Sequence, residues 1–144
     1  MAAYLCLPWF ADSASTEHQR QLLTFRFAAL FSGHISGHHG WPSDRKFSAL
    51  AVTPSGHRMP TFQCLGTDDK VVPPEDSLAL ARTLDPTLAD RLGQEGDLSA
   101  DSIITSGSSV FVTHPQGHMI PAKGVAKTEF KNFLVQQQSL LLQK

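Results

Sequence analysis

Two short stretches carry residue types that could move a proton. In Val110-Phe111-Val112-Thr113-His114-Pro115-Gln116-Gly117-His118-Met119-Ile120-Pro121 a β-branched run stops at a turn that presents His118. Imidazole titrates near neutrality, with a reference pKa of about 6.5, so it can take and return a proton under ordinary conditions. In Gly66-Thr67-Asp68-Asp69-Lys70-Val71-Val72-Pro73 two adjacent acids follow the apolar run Thr61 to Leu65. A carboxylate beside an imidazole holds the ring in one orientation and stabilises its cation. The alternative for His118 is a histidine that merely caps a loop, and loops are also where function concentrates.

Positioning such a pair requires strands that end side by side. Val110 to Thr113 reads as a short buried strand, bounded by Ser and Gly before it and Pro and Gly after it. Thr61 to Leu65 reads as another, and Phe25 to Phe31, nearly continuous in apolar character up to Ser32-Gly33, as a strand covered on both faces. Pro74-Glu75-Asp76 opens a helix with Pro and acids in its first turn, with Leu78, Ala81 and Leu84 or Leu88 as its apolar stripe. Lys123 to Gln143 places Ala126, Phe130, Phe133, Leu134, Leu140 and Leu141 on roughly one helical face, leaving Gln136-Gln137-Gln138 to solvent. Met1 to Leu7 reads as a further helix, and Asp90 to Ser109, rich in Gly, Asp and Ser, as a connection rather than an element. Strand, helix, strand and helix alternate, which predicts an α/β domain spanning 1–144 with a parallel sheet and flanking helices. Ligands bind at the carboxyl ends of the strands in such sheets, and both chemical loops leave that edge.

Composition narrows the classes. The chain has 144 residues, 41% hydrophobic, enough for one core, and a net charge of −1 without a basic run. Neither nucleic acid nor an anionic membrane is an expected partner. Met1 to Phe10 is apolar but lacks a basic start and is too short to span a bilayer. Cys6 and Cys64 sit in apolar surroundings without ligand spacing, as small buried hydrophobes in a reducing, cytoplasmic compartment. His34, His38 and His39 crowd one loop, but no Cys or carboxylate joins them there, so neither a metal nor a cofactor is expected.

An acid and a histidine in that chain order are two members of a hydrolytic triad running Ser, Asp, His, so a nucleophile should precede the acid. The sequence contains no Gly-x-Ser-x-Gly. Gly33-His34-Ile35-Ser36-Gly37 comes nearest, with its serine one place late.

Three segments together resemble the FSH-type serine hydrolases, small esterases of the α/β-hydrolase fold. FRFAALFSG (25–33) is similar to the family's strand and Ser-Gly turn, LGTDDKVVP (65–73) to its G-x-x-D-x-x-V-P acid loop, and HPQGHMIP (114–121) to its H-x-G-G-H-x-x-P histidine loop. Gln116 stands where a second glycine is common. The resemblance implies that Asp69 is the orienting acid and His118 the general base. Met1-Ala2-Ala3-Tyr4-Leu5 resembles the helix that follows the family's G-F-S-Q-G turn, so the expectation is a truncated hydrolase fold without its nucleophile or oxyanion donors. Its substrate class, when completed by an N-terminal segment, is a small carboxylic ester or thioester. A non-catalytic interaction module, held by a protein partner along the bared sheet edge at Phe25 to Phe31, is the second expectation, with marginal stability when alone. A metal-binding protein built on His34, His38 and His39 comes third.

Overall fold

A computed structural model describes residues 27–33, 58–88, 91 and 99–142. The elements, in chain order, are strands β1 (Ala28–Phe31) and β2 (Thr61–Gly66), helix α1 (Pro74–Leu84), strands β3 (Ile103–Ser106) and β4 (Ser109–His114), and helix α2 (Val125–Leu142). The strands form one sheet in the order β1-β2-β4-β3. Pairing is parallel from β1 to β2 and from β2 to β4, with Phe31 opposite Cys64 and Gly66 opposite His114.

The fold class is α/β, with helices against a mixed sheet, and this corrects the expectation of a purely parallel one: β3 runs antiparallel to β4. It also corrects the reading of 90–109 as an element-free connection. Ile103 to Ser106 forms a strand that returns through a tight turn at Gly107, whose φ of +55° suits glycine. The segment is short and half exposed, with only Ile104 and Ser106 turned inward.

Side-chain alternation divides the sheet into two apolar faces. Phe62 and Cys64 of β2 and Val110 and Val112 of β4 pack with Ala126 and Phe133 of α2, flanked by Phe27, Phe31 and Phe130. Leu65 and Phe111 point the other way, against Ala81, Leu88 and Ile104. Fully burying one such aromatic or leucine side chain contributes about 1.5 to 3 kcal/mol. Phe62, Phe111 and Phe133 are among the largest side chains buried completely.

Each helix buries part of its expected face, with Ala81 and Leu84, and Leu88 beyond them, for α1 and Ala126 and Phe133 for α2, and departs from it elsewhere. The buried stripe of α1 is Ser77, Leu80, Ala81 and Leu84, with Leu78 only half-buried. On α2 the inward positions are Ala126, Phe133 and Gln137; Leu134 and Leu140 are exposed. Gln137 therefore does not belong to a solvated glutamine patch, although Gln136 and Gln138 do. Cys64 is buried and its thiol is pushed up to about 12 by that burial, which makes it an inert packing group. The Met1 to Leu7 helix, Cys6, the start of the Phe25 to Phe31 strand, the loop with His34, Ser36, His38 and His39, and Leu141's side chain lie outside the described residues. No described helix is long and apolar enough to cross a membrane.

Candidate acid–histidine site

The site sits where β2 and β4, parallel neighbours, both end. β2 leaves the sheet at Gly66 into the loop bearing Asp69, and β4 leaves at His114 into the loop bearing His118. Thr67 N–H donates to His114 O at 2.9 Å, extending the ladder one step beyond the strands. The histidine loop then folds back across β2. A Cβ at position 66 would overlap the carbonyl oxygen of Gln116 and lie 2.6 Å from that of Gly117. Glycine at 66 is thus what lets one loop's backbone lie on the other. Gln116 keeps a negative φ, so a residue other than glycine is accommodated there without backbone strain.

Of the two adjacent acids, the backbone turns Asp69 inward and Asp68 outward. Asp68 is exposed and pairs with the exposed Lys70 at 2.5 Å. Asp69 is 5% exposed. Its Oδ1 accepts the backbone N–H groups of Val71 and Val72, each at 2.9 Å, so the loop wraps around its own carboxylate. Its Oδ2 meets His118 Nδ1 at 2.9 Å. Burial pushes the Asp69 carboxyl up, but the Val72 N–H, the Ser32 hydroxyl, the Val71 N–H and the His118 imidazole outweigh it and hold the group well below the usual carboxylate range.

That ionised carboxylate dictates the state of the ring. A carboxylate only accepts hydrogen bonds, so Nδ1 must carry the proton, and in the neutral imidazole Nε2 is left with a lone pair. His118 has a side chain 44% exposed. One end of the pair is therefore fixed inside the protein, and the other faces outward. Val71, Met119 and Ile120, all exposed apolar side chains, stand next to the pair in sequence.

The structure thus brings Asp69 and His118 into contact and leaves Asp68 out. Three contributors escaped the sequence reading: Gly66 as the crossing point, the Val71 and Val72 N–H donors, and Ser32 at the end of β1. The first two were marked only by the G-x-x-D-x-x-V spacing, and Ser32 only by a Ser-Gly pair closing an apolar run. Among the described residues no group of three His, Cys, Asp or Glu side chains is arranged to hold a metal ion. Comparison with protein-family models, curated proteins and solved structures finds no match to this chain.

Proposed function

We propose that Asp69 and His118 are the acid and general base of a hydrolytic triad acting on carboxylic esters or thioesters, in a protein of the FSH-type serine hydrolase class with an α/β-hydrolase fold. The observation that carries this reading is the bond from His118 Nδ1 to a buried, ionised Asp69 with Nε2 facing outward. In such an arrangement Nε2 takes the proton of an attacking serine hydroxyl and later returns it to the leaving oxygen or sulfur, while the carboxylate steadies the transient imidazolium. Val71, Met119 and Ile120, exposed apolar side chains one or two residues from the pair in sequence, are suited in type to the acyl part of such a substrate.

The sequence has no Gly-x-Ser-x-Gly, so this reading requires the serine and the oxyanion donors to come from outside these 144 residues. A fluorophosphonate probe tests this. The 144-residue chain should stay unlabelled, and a version extended upstream through a nucleophile turn should label at that serine and lose labelling with His118→Ala. Stoichiometric labelling of the 144-residue chain, or full labelling of an extended His118→Ala protein, would contradict the proposal.

A second reading rests on β1. Among the described residues β1 pairs with β2 only, and its outer backbone groups meet no other described strand. A partner polypeptide adding a strand there would make the chain an interaction module. Concentration-dependent self-association or strand-peptide binding abolished by Ala29→Pro, with unaltered hydrolysis by an extended chain, would favour it.

A further inference from the structure

Ser32 is the residue directly after β1, and it adopts a φ of +47°, a region that a side chain with a Cβ enters rarely. Both flanks of this turn are pinned. Ser32 N–H donates to Cys64 O at 2.8 Å, and Ser77 Oγ of α1 donates to Gly33 O at 2.8 Å. A strained conformation held from both sides directs a side chain to one place. The residue is 7% exposed, and its Oγ is buried without a hydrogen-bond partner among the described residues. Such a group normally finds a partner.

The partner at hand is the carboxylate of Asp69. With Phe31 opposite Cys64, the exit of β1 lies beside the exit of β2 that leads to Asp69. The carboxylate has about four acceptor sites, of which Val71 and Val72 fill two on Oδ1 and His118 fills one on Oδ2. We propose that Ser32 is a positioning residue for Asp69: its hydroxyl donates to the site left open on the carboxylate and keeps that group from turning away from His118. The lowering that the hydroxyl exerts on the Asp69 pKa agrees with this placement. The other titratable groups around Asp69 are His118, the buried His114 at the end of β4, and the outward Asp68 and Lys70. The inference rests on the reading of Asp69 as the orienting acid, but its test uses the 144-residue chain and requires no catalysis.

The test is a double-mutant cycle of Ser32→Gly and Asp69→Asn, read as urea unfolding across the acid limb. Glycine removes the hydroxyl and relieves the positive φ, so folding is retained. Ser32→Ala, which keeps the Cβ and the strain, is run beside it. Both changes at Ser32 should move the acid limb up by about one pH unit when Asp69 is present, the equivalent of one charge-assisted hydrogen bond. In the Asp69→Asn background only a pH-independent offset, such as the strain that glycine relieves, should remain, and the dependence on Asp69 titration should be gone. Equal shifts in both backgrounds, or none in either, would overturn the proposal. An extended chain that fails to label would instead remove the hydrolase reading and leave this coupling standing.

Discussion

Asp69 and Asp85 are both buried, at opposite edges of the same sheet, and both use the same local device. Each offers Oδ1 to the backbone N–H groups two and three residues ahead: Val71 and Val72 for Asp69, Thr87 and Leu88 for Asp85. Their remaining partners differ. At the amino edge Asp85 Oδ1 also takes the Thr87 hydroxyl at 2.6 Å and faces Arg58 at 3.6 Å, while the same hydroxyl touches Ser106 at the end of β3. These groups close the helix end onto the hairpin and onto the approach to β2. At the carboxyl edge the second oxygen of Asp69 goes to an imidazole whose far nitrogen faces outward. Burial and backbone wrapping are common to both, so they mark a structural carboxylate as readily as a chemical one. The partner on the second oxygen, and its access to solvent, separates the two.

Replacing Gly66 should disturb this contrast most. Gly66→Ala sets a Cβ against two backbone carbonyls that cannot step aside as a side chain could. We expect a loss of about 3 kcal/mol in urea unfolding, at the upper end of ordinary overpacking, together with loss of the His118–Asp69 bond. Asp85→Ala should come next, at about 2 kcal/mol, because the N–H groups of Thr87 and Leu88 lose their acceptor. It should leave the His118 imidazole signals unmoved, which Gly66→Ala should not.

Acid titration gives the third comparison. The Asp69 pKa is depressed in the folded chain, so the unfolded chain takes up that proton first as pH falls. The stability that Asp69 contributes is fully present above its unfolded pKa of about 3.9 and is lost as pH falls below it. The part of the gap in unfolding free energy between wild type and Asp69→Asn that comes from the carboxyl's own titration should therefore be flat above about pH 5 and shrink at lower pH, below the window in which the coupled histidines titrate. His114 has the same sign in a higher window. Burial pushes its pKa down against the raising effects of Asp101 and Asp69, so a stabilisation present above about 6.5 fades as pH falls, and His114→Gln should flatten that slope.

The smallest stability change should come from His118. Its side chain is half exposed, and an ion pair or hydrogen bond there is worth under about 1 kcal/mol. His118→Ala should unfold within that margin of wild type, and in the extended protein it should abolish ester hydrolysis. That separation of stability from activity is the converse of Asp85→Ala.

Much of the frame was legible in the residues because burial on both sides leaves an unbroken apolar run. β2 and β4 announce themselves in Thr61 to Leu65 and Val110 to Thr113, and α1 in Pro74-Glu75-Asp76. β3 was not legible, since four residues with alternate side chains exposed, set among Gly, Asp and Ser, carry too little hydrophobic signal. On α2, leucines at 134 and 140 look as apolar as Phe133, and only packing distinguishes the face that reaches the sheet, where Gln137 is buried instead. The histidine was visible as a strand-end residue, whereas the choice between Asp68 and Asp69 came from a resemblance in spacing. Its physical basis lies in backbone N–H groups that no side-chain pattern encodes.

The central claim is that a buried, ionised Asp69 holds His118 with its proton on Nδ1 and Nε2 open as a base. Nitrogen-15 NMR of the histidine-labelled chain, at a pH where its imidazoles are neutral, reads that proton directly. The account predicts a protonated Nδ1 and an unprotonated Nε2 at His118, a preference that Asp69→Asn weakens or reverses. A proton resident on Nε2 in the wild-type chain, or a tautomer ratio indifferent to Asp69→Asn, would contradict it.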